Sequence, residues 1–209
     1  MKKILFLLLL FCGVYLGVCF ADNYDFRHVN WGMNRDEVVQ AESDLKQVKR
    51  LDFAAIPKDN LAFNTEVLGK KVNLQYAFIN DRLVMAYYIF TETPETKTIV
   101  LTNPYKYYVD QYTTLKESLS QKYGPPKEFE EWGNETYKTV PGSIGEHIVK
   151  GHLKIWSTWE TEKTVIVLNC MDVAPNHPFH RNRIIYYDRE YYQSLNQTKT
   201  IKDSDLENL

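Results

Sequence analysis

The segment from Val72 to Phe90 constrains the fold more than any other part of the chain. "VNLQYAFIN" (72–80) alternates apolar and polar residues at the period of a β-strand. Its apolar side chains fall on one face: Val72, Leu74, Tyr76 and Phe78. Asn80-Asp81 has the chemistry of a tight turn, and "RLVMAYYIF" (82–90) returns as a second strand. Because the return strand is apolar on both faces, we predict that it lies centrally in an antiparallel sheet.

A long helix is predicted from Pro104 to Tyr123. Asn103 is a good N-cap residue, and proline is favoured at the first helical position. Gly124 can adopt the left-handed conformation that ends a helix, and Pro125-Pro126 prevents its continuation. Apolar and aromatic residues recur at helical spacing: Tyr108, Tyr112, Leu115, Leu119 and Tyr123. One face of this helix is therefore expected to pack on the sheet.

The stretch "WGMNRDEVVQAE" (31–42) has the features of a helix start. Asn34 and Glu37 form a capping-box pattern, in which each side chain bonds the backbone of the other residue. Met33 and Val38 have the spacing of a hydrophobic staple around that cap. Trp31 has no role in starting a helix, and we expect it to anchor the seam between helix and sheet.

The second half of the chain is predicted to supply further strands. "KEFEEWGNETYKTV" (127–140) is interpreted as one strand, and "HIVKGHLKIWSTWE" (147–160) with "TVIVLNCM" (164–171) as a second hairpin. "IIYYDREYY" (184–192) is interpreted as a last edge strand or the start of a short helix.

This order of elements predicts the α+β class, an antiparallel sheet with two main helices packed on one face. We expect one domain over residues 22–194, followed by a disordered tail at 195–209. Helix and strands occur twice in the same order, which allows two tandem α-β-β-β halves at 25–91 and 104–172.

The first 21 residues have the pattern of an export signal. Lys2 and Lys3 precede an uncharged, mostly apolar run that ends in small residues, so cleavage is predicted after Ala21. The mature protein would then lack a membrane span and reside in a bacterial periplasm. An uncleaved anchor is one alternative. Another is an outer-membrane lipoprotein acylated at Cys19, although Val18 stands where that signal requires a small residue.

Composition excludes some classes of function. Without the signal, 23 basic and 27 acidic residues are mixed along the chain, so neither nucleic acid nor an anionic lipid surface is an expected partner. Cys170 is the one cysteine outside the signal, so no internal disulfide can form. It lies in an apolar run and is predicted to be a buried, inert thiol.

Two short stretches resemble known exported proteins. "WGMNRDEVVQAE" is similar to the helix start of SmpA/OmlA-type lipoproteins of outer-membrane barrel assembly and of proteins like the β-lactamase inhibitor protein. "LKESLSQKYGPP" (115–126) resembles the helix ending of other exported bacterial proteins. In those families the glycine-proline turn closes the first helix, whereas here it closes the second. The resemblance implies a helix-plus-antiparallel-sheet domain and an adaptor-like or inhibitor-like role, without catalytic residues.

Motifs of known enzyme classes are missing from the sequence: G-x-S-x-G, a P-loop, G-x-G-x-x-G, H-E-x-x-H and C-x-x-C. His177 and His180 in "NHPFH" are candidate metal ligands, and Asp172 or Asp188 would have to help to complete the three or four ligands that a metal ion takes. His147 and His152 would face opposite ways on a regular strand and are not predicted to form a site. We therefore predict no cofactor.

Clustered aromatic residues suggest binding instead. Trp156 and Trp159 have different parity on one strand, so one should face the core and the other the outer face. Trp159, Tyr187 and Tyr191 are the candidate binding surface. The leading hypothesis is a non-enzymatic module that binds another envelope protein or a ligand. The alternatives are a metal-dependent or hydrolytic enzyme using the 176–183 loop, and a structural envelope lipoprotein; the sequence does not indicate the oligomeric state.

Overall fold

The computed structural model describes residues 24–49, 59–91, 104–172 and 181–197. Within these ranges, seven strands form one antiparallel sheet in the order β1-β2-β3-β7-β6-β5-β4. The strands are β1 (Asn60–Val67), β2 (Lys70–Ile79), β3 (Arg82–Phe90), β4 (Lys127–Trp132), β5 (Leu153–Glu160), β6 (Thr164–Asp172) and β7 (Arg181–Asp188). The described part of the chain therefore has the predicted α+β fold.

Four α-helices accompany the sheet in the described residues: α1 (Arg35–Ala41), α2 (Pro104–Tyr123), α3 (Ile144–Val149) and α4 (189–197). The capping box at the start of α1 is confirmed, since the Asn34 side chain accepts from the Glu37 backbone and the Glu37 side chain accepts from the Asn34 backbone. Gly124 ends α2 with a φ of +84°, in the left-handed region that favours glycine.

One face of the sheet packs against α1, α2 and α3. The predicted alternation of β2 is confirmed, because Leu74, Tyr76 and Phe78 all lie in the core on this face. The helices contribute apolar side chains to the same core: Val38, Tyr112, Leu115, Leu119 and Ile148. The opposite face carries a smaller apolar cluster around Met85, Tyr87 and Val167, against which Tyr192 of α4 packs.

The centre of the sheet is the pair β3 and β7, where Tyr87 lies opposite Ile185. The central position of β3 is thus confirmed. The prediction of an edge strand at 184–192 is wrong, because β7 lies between β3 and β6 and then continues into α4. Ile184 and Ile185 are buried on opposite faces, which is the pattern of a central strand.

Residues 127–160 differ from the prediction. β4 ends at Trp132, and a 3₁₀-helix follows at Glu135–Thr139. Residues 147–149, which were predicted to be extended, lie in α3 instead. Ser143 caps this helix and forms a capping box with Glu146. That local signal outweighs the β propensity of the isoleucine and valine within the helix.

None of the helices within the described ranges is both long and apolar enough to cross a bilayer. Residues 1–23, which include the predicted signal (1–21), the segments 50–58, 92–103 and 173–180, and the chain from 198 onward lie outside the described residues. The predicted N-cap Asn103 therefore also lies outside them. The prediction of a disordered tail from residue 195 is wrong for residues 195–197, which belong to α4.

Candidate functional site

A cavity of about 560 Å³ opens where residues 24–27 pass between the end of α2 and the β5–β6 turn. Pockets for small ligands in proteins occupy roughly 300–1,000 Å³. Aromatic, charged and hydroxyl side chains line it together: Tyr24, Asp25, Phe26, Arg27, Tyr88, Lys122, Tyr123, Thr161, Glu162, Lys163, Thr164, Ile166 and Tyr186. We call it the Arg27 cavity.

Arg27 occupies a strained position in a two-residue turn. The backbone N–H of Phe26 donates to Val29 O at 3.1 Å, and Val29 N–H donates to Phe26 O at 2.9 Å. Arg27 between them has a φ of +48°, where glycine is the usual residue. Such a conformation costs about 1–3 kcal/mol and persists only where surrounding contacts hold it.

Glu42 supplies those contacts. Arg27 donates from Nε to Glu42 Oε1 at 2.9 Å and from Nη2 to Oε2 at 3.0 Å, a bidentate pair. The carboxylate is 0% exposed and also accepts a hydrogen bond from the Tyr76 hydroxyl. Burial lowers the pKa of Arg27, but Glu42 and Tyr88 outweigh it and hold that pKa above its usual value. The guanidinium therefore remains charged and oriented at the cavity.

Aromatic rings form the floor. The rings of Tyr88 and Tyr186 meet edge to face with centroids 6.1 Å apart, and Phe26 lies 4.6 Å from Tyr186. Burial raises the pKa of Tyr88 and of Tyr186 above the ordinary tyrosine value. Both phenols stay neutral at physiological pH, and both side chains are buried, so they form an uncharged floor beneath the cavity.

Trp31 connects the opening motif to this cavity. Its indole Nε1–H donates to Thr164 Oγ1 at 2.9 Å, and its backbone N–H donates to Asp25 Oδ2 at 3.0 Å. The stretch 31–42 thus begins at one wall of the cavity and ends at Glu42, which pairs with Arg27. Trp31 is partly buried against the helix-side core, and it also fixes the position of a cavity wall.

The charges around the cavity nearly cancel. Arg27 is paired with Glu42, and Lys163 Nζ lies 3.3 Å from Asp25 Oδ1. The other two charged lining residues, Lys122 and Glu162, have opposite signs. The cavity therefore suits a ligand that is rich in hydrogen-bonding groups but carries little net charge.

The predicted binding surface is not brought together at this cavity. Trp159 is 3% exposed, and its Nε1–H donates to Gly124 O at 2.9 Å, so it offers no open ring. Trp156 lies against the other face, which confirms the parity argument. Tyr187 and Tyr191 are half-buried, and Tyr187 packs against Tyr192 with ring centroids 5.2 Å apart. His177 and His180 lie outside the described residues.

The other candidate groups give mixed results. Cys170 is 4% exposed, so the predicted burial of its thiol is confirmed, and that burial raises the pKa of the thiol to about 12. His28, Glu42 and Asp44 place potential metal-ligand atoms within 4.8 Å of one another. A cation there would compete with Arg27 and Tyr76 for the Glu42 carboxylate, so we assign no metal to this group.

His147 and His152 are closer than the sequence predicted. His147 belongs to α3 and His152 precedes β5, so the argument from strand parity is wrong for this pair. Their Nδ1 atoms are 3.4 Å apart. The pair lies at the opposite end of β5 from the Arg27 cavity.

Comparison with protein-family models, with curated proteins and with solved structures finds no match to this chain. The fold and the cavity therefore carry the functional argument. Sequence reasoning missed Arg27, Glu42 and Thr164 as site residues, because no local pattern brings them together. The unexplained Trp31 was the signal that could have led to them.

Proposed function

We propose that the protein is a non-enzymatic binding module that holds a small polyhydroxylated ligand, of the size of a mono- or disaccharide, in the Arg27 cavity. The cavity itself is the observation that carries this proposal. Its volume of about 560 Å³ has room for a ligand of this size, and the buried Glu42 carboxylate holds the Arg27 guanidinium at its wall.

The chemistry of the walls supports a ligand with many hydroxyl groups. Tyrosine rings provide flat apolar surface, while guanidinium, ammonium, carboxylate and hydroxyl groups around them provide donors and acceptors. The lining is predominantly polar, with tyrosine rings among the charged and hydroxyl groups, and such converging donors and acceptors suit a ligand rich in hydroxyl groups. The balance of charges favours a neutral ligand over an anionic one.

The lining also supports binding rather than catalysis. The described residues around the cavity include no histidine, cysteine or serine. The hydroxyl of Thr161 donates to Thr164 O, and that of Thr164 accepts from Trp31. Neither threonine has a general base beside it in these contacts, as an activated nucleophile would require.

Calorimetric titration tests the proposal. The probes are glucose, galactose, N-acetylglucosamine, maltose and cellobiose, with glycine as a zwitterionic comparison. At least one sugar should bind the wild-type protein. Lys122→Ala should reduce the affinity for that sugar by about tenfold, because one hydrogen bond to a charged group is lost. Lys106→Ala is the matched control, since Lys106 is exposed on the same helix and pairs with Asp110. Binding of glycine alone, or of no probe, would refute the saccharide class.

The proposal includes export to the periplasm. The support is the sequence alone: Lys2 and Lys3, the apolar run, and the small residue at Ala21. Mass spectrometry of the mature protein should find Asp22 at its N-terminus. An acylated Cys19 would instead favour the envelope-lipoprotein alternative.

Two other hypotheses, an envelope-protein partner and a metal-dependent enzyme, are tested by separate experiments. An envelope-protein partner would use the half-buried rings of Tyr187 and Tyr191, and a pull-down with the double variant Tyr187→Ala/Tyr191→Ala tests it. The metal-dependent enzyme would use the 176–183 loop. This hypothesis requires that the wild-type protein binds a metal ion and that the double variant His177→Ala/His180→Ala does not.

A further inference from the structure

His147 and His152 form a second cluster of chemically active groups outside the Arg27 cavity. His147 is 6% exposed in α3, whereas His152 is partly exposed just before β5. The two imidazoles approach through their Nδ1 atoms at 3.4 Å. Among the described residues, neither Nδ1 has another hydrogen-bond contact.

Both rings are held by their surroundings. The ring of His152 stacks on Tyr137 with centroids 3.9 Å apart and planes 12° apart. The ring of His147 meets Trp132 edge to face at 5.2 Å. The backbone fixes their spacing, since His152 N–H donates to His147 O at 2.8 Å across the turn at Gly151. The spacing of the two rings is therefore fixed by the fold before an ion binds.

We propose that His147 and His152 bind one divalent transition-metal ion, Zn²⁺ or Cu²⁺, through their Nδ1 atoms. Two imidazole nitrogens at 2.0–2.1 Å from one ion, at a tetrahedral angle, lie about 3.4 Å apart. The observed separation has this value without any movement of the backbone. The ion would lie about 1 Å off the line between the nitrogens. Because the two rings point at each other, with centroids 5.7 Å apart, each must turn by about 35° to aim its lone pair at the ion.

The protonation states balance. Without an ion, the 3.4 Å contact is a hydrogen bond in which one neutral ring carries its proton on Nδ1 and the other accepts it. Metal binding requires both Nδ1 lone pairs, so the donor ring changes tautomer and carries its proton on Nε2 instead. No proton is released when both rings begin neutral, whereas any imidazolium must first lose one.

Two protein ligands leave the other coordination positions to solvent or to an added ligand. The nearby Glu146 carboxylate accepts from Ser143 N–H at 2.9 Å in the capping box and is engaged there. The site is therefore expected to bind more weakly than a closed four-ligand zinc site. Cu²⁺ should bind more tightly than Zn²⁺, because nitrogen sites follow that order.

The site is independent of the Arg27 cavity. The eight residues of β5 separate His152 from Thr161, which is about 30 Å along an extended strand. Loss of metal binding should thus leave sugar binding unchanged, and the two proposals can fail separately.

Titration calorimetry with ZnCl₂ and with CuCl₂ on the mature protein tests the site. The wild-type protein should bind one ion, and either His147→Gln or His152→Gln should reduce the affinity for that ion by about 100-fold. His28→Ala is the matched control for loss of an exposed imidazole, and His177→Ala/His180→Ala separates this site from the 176–183 loop. Wild-type affinity in both His147→Gln and His152→Gln, or no metal binding in wild type, would overturn the proposal.

A second measurement uses only the wild-type protein, so it tests the site even if a histidine variant fails to fold. Imidazole ¹⁵N spectra of the wild-type protein should show the Nδ1 signals of His147 and His152 shifting together when Zn²⁺ is added, with the Nε2 atoms protonated. Metal-induced shifts confined to other histidines would contradict the proposal, whatever the variants do.

Discussion

At the scale of single residues, Arg27 and Glu42 act as one unit. The backbone strain at Arg27 and the burial of the Glu42 carboxylate are each unfavourable, and each is stabilised by the other residue. Tyr76 supplies a further hydrogen bond to the same carboxylate. The pair fixes Arg27 at the wall of the cavity, so we expect its loss to reduce both stability and the proposed ligand binding.

Replacing Glu42 with alanine tests this unit. We expect Glu42→Ala to reduce the free energy of unfolding by about 3–5 kcal/mol, because it leaves the partly buried guanidinium without its counter-charge. Urea denaturation followed by circular dichroism measures the change. Glu130→Ala, at an exposed position on β4, is the control and should behave like wild type. Equal stabilities of the two variants would show that the Arg27–Glu42 pair contributes nothing to the free energy of unfolding.

Cys170 gives a prediction about pH. Burial raises the pKa of its thiol from 9.0 to about 12, so the folded protein should react with a thiol reagent far more slowly than the unfolded chain at pH 8. The raised pKa stabilises the fold fully below pH 9, and this contribution is lost as the pH rises toward 12. Cys170→Ala should therefore lose less stability than wild type between pH 9 and 12. Rapid labelling of the folded protein at pH 8 would contradict the burial.

At the scale of elements, Gly145 determines how α3 packs on α2. A Cβ atom at Gly145 would lie 2.5 Å from Tyr105 Cβ and 3.2 Å from its backbone. We expect Gly145→Ala to destabilise the protein by about 1–3 kcal/mol, the cost of overpacking. Gly133→Ala is the control, since its nearest contact would be an ordinary 3.5 Å. Thermal unfolding of both variants measures the change in stability. Similar losses of stability in the two variants would contradict the close approach of Gly145 to Tyr105.

The same elements show what the sequence can predict. The β2–β3 hairpin and α2 were predictable because their signals are local: alternation, a turn, and the glycine that ends the helix. α3 was mistaken for a strand because the β-branched Ile148 and Val149 hid the capping box at Ser143. The cavity was not predictable, since Arg27, Tyr88 and Thr164 come from distant segments that only the tertiary fold brings together.

At the scale of the whole molecule, the two helix-then-strand segments share one sheet. β7 lies between β3 and β6, so a second half ending at residue 172 would lack the strand that joins it to the first. The Arg27 cavity also draws on both segments, with Tyr88 from the first and Thr164 from the second, and on β7 through Tyr186. Binding and folding are therefore expected to depend on the complete sheet.

Truncation tests this dependence. A chain of residues 22–172 should fail to give the dispersed amide spectrum of a folded protein, because the apolar edges of β3 and β6 lose their shared partner. A chain of residues 22–197, which retains β7 and α4, is the control and should fold. Native-like spectra from the shorter chain would show that β7 is dispensable.

The most direct test of the central claim is amide chemical-shift mapping of the mature protein during titration with the saccharide probes. We predict that the amides of residues 24–27, 122–123 and 161–164 shift together at one saturable affinity, because these three segments form the walls of the Arg27 cavity. Shifts confined to other surfaces, or none with any probe, would contradict the claim that this cavity is the binding site.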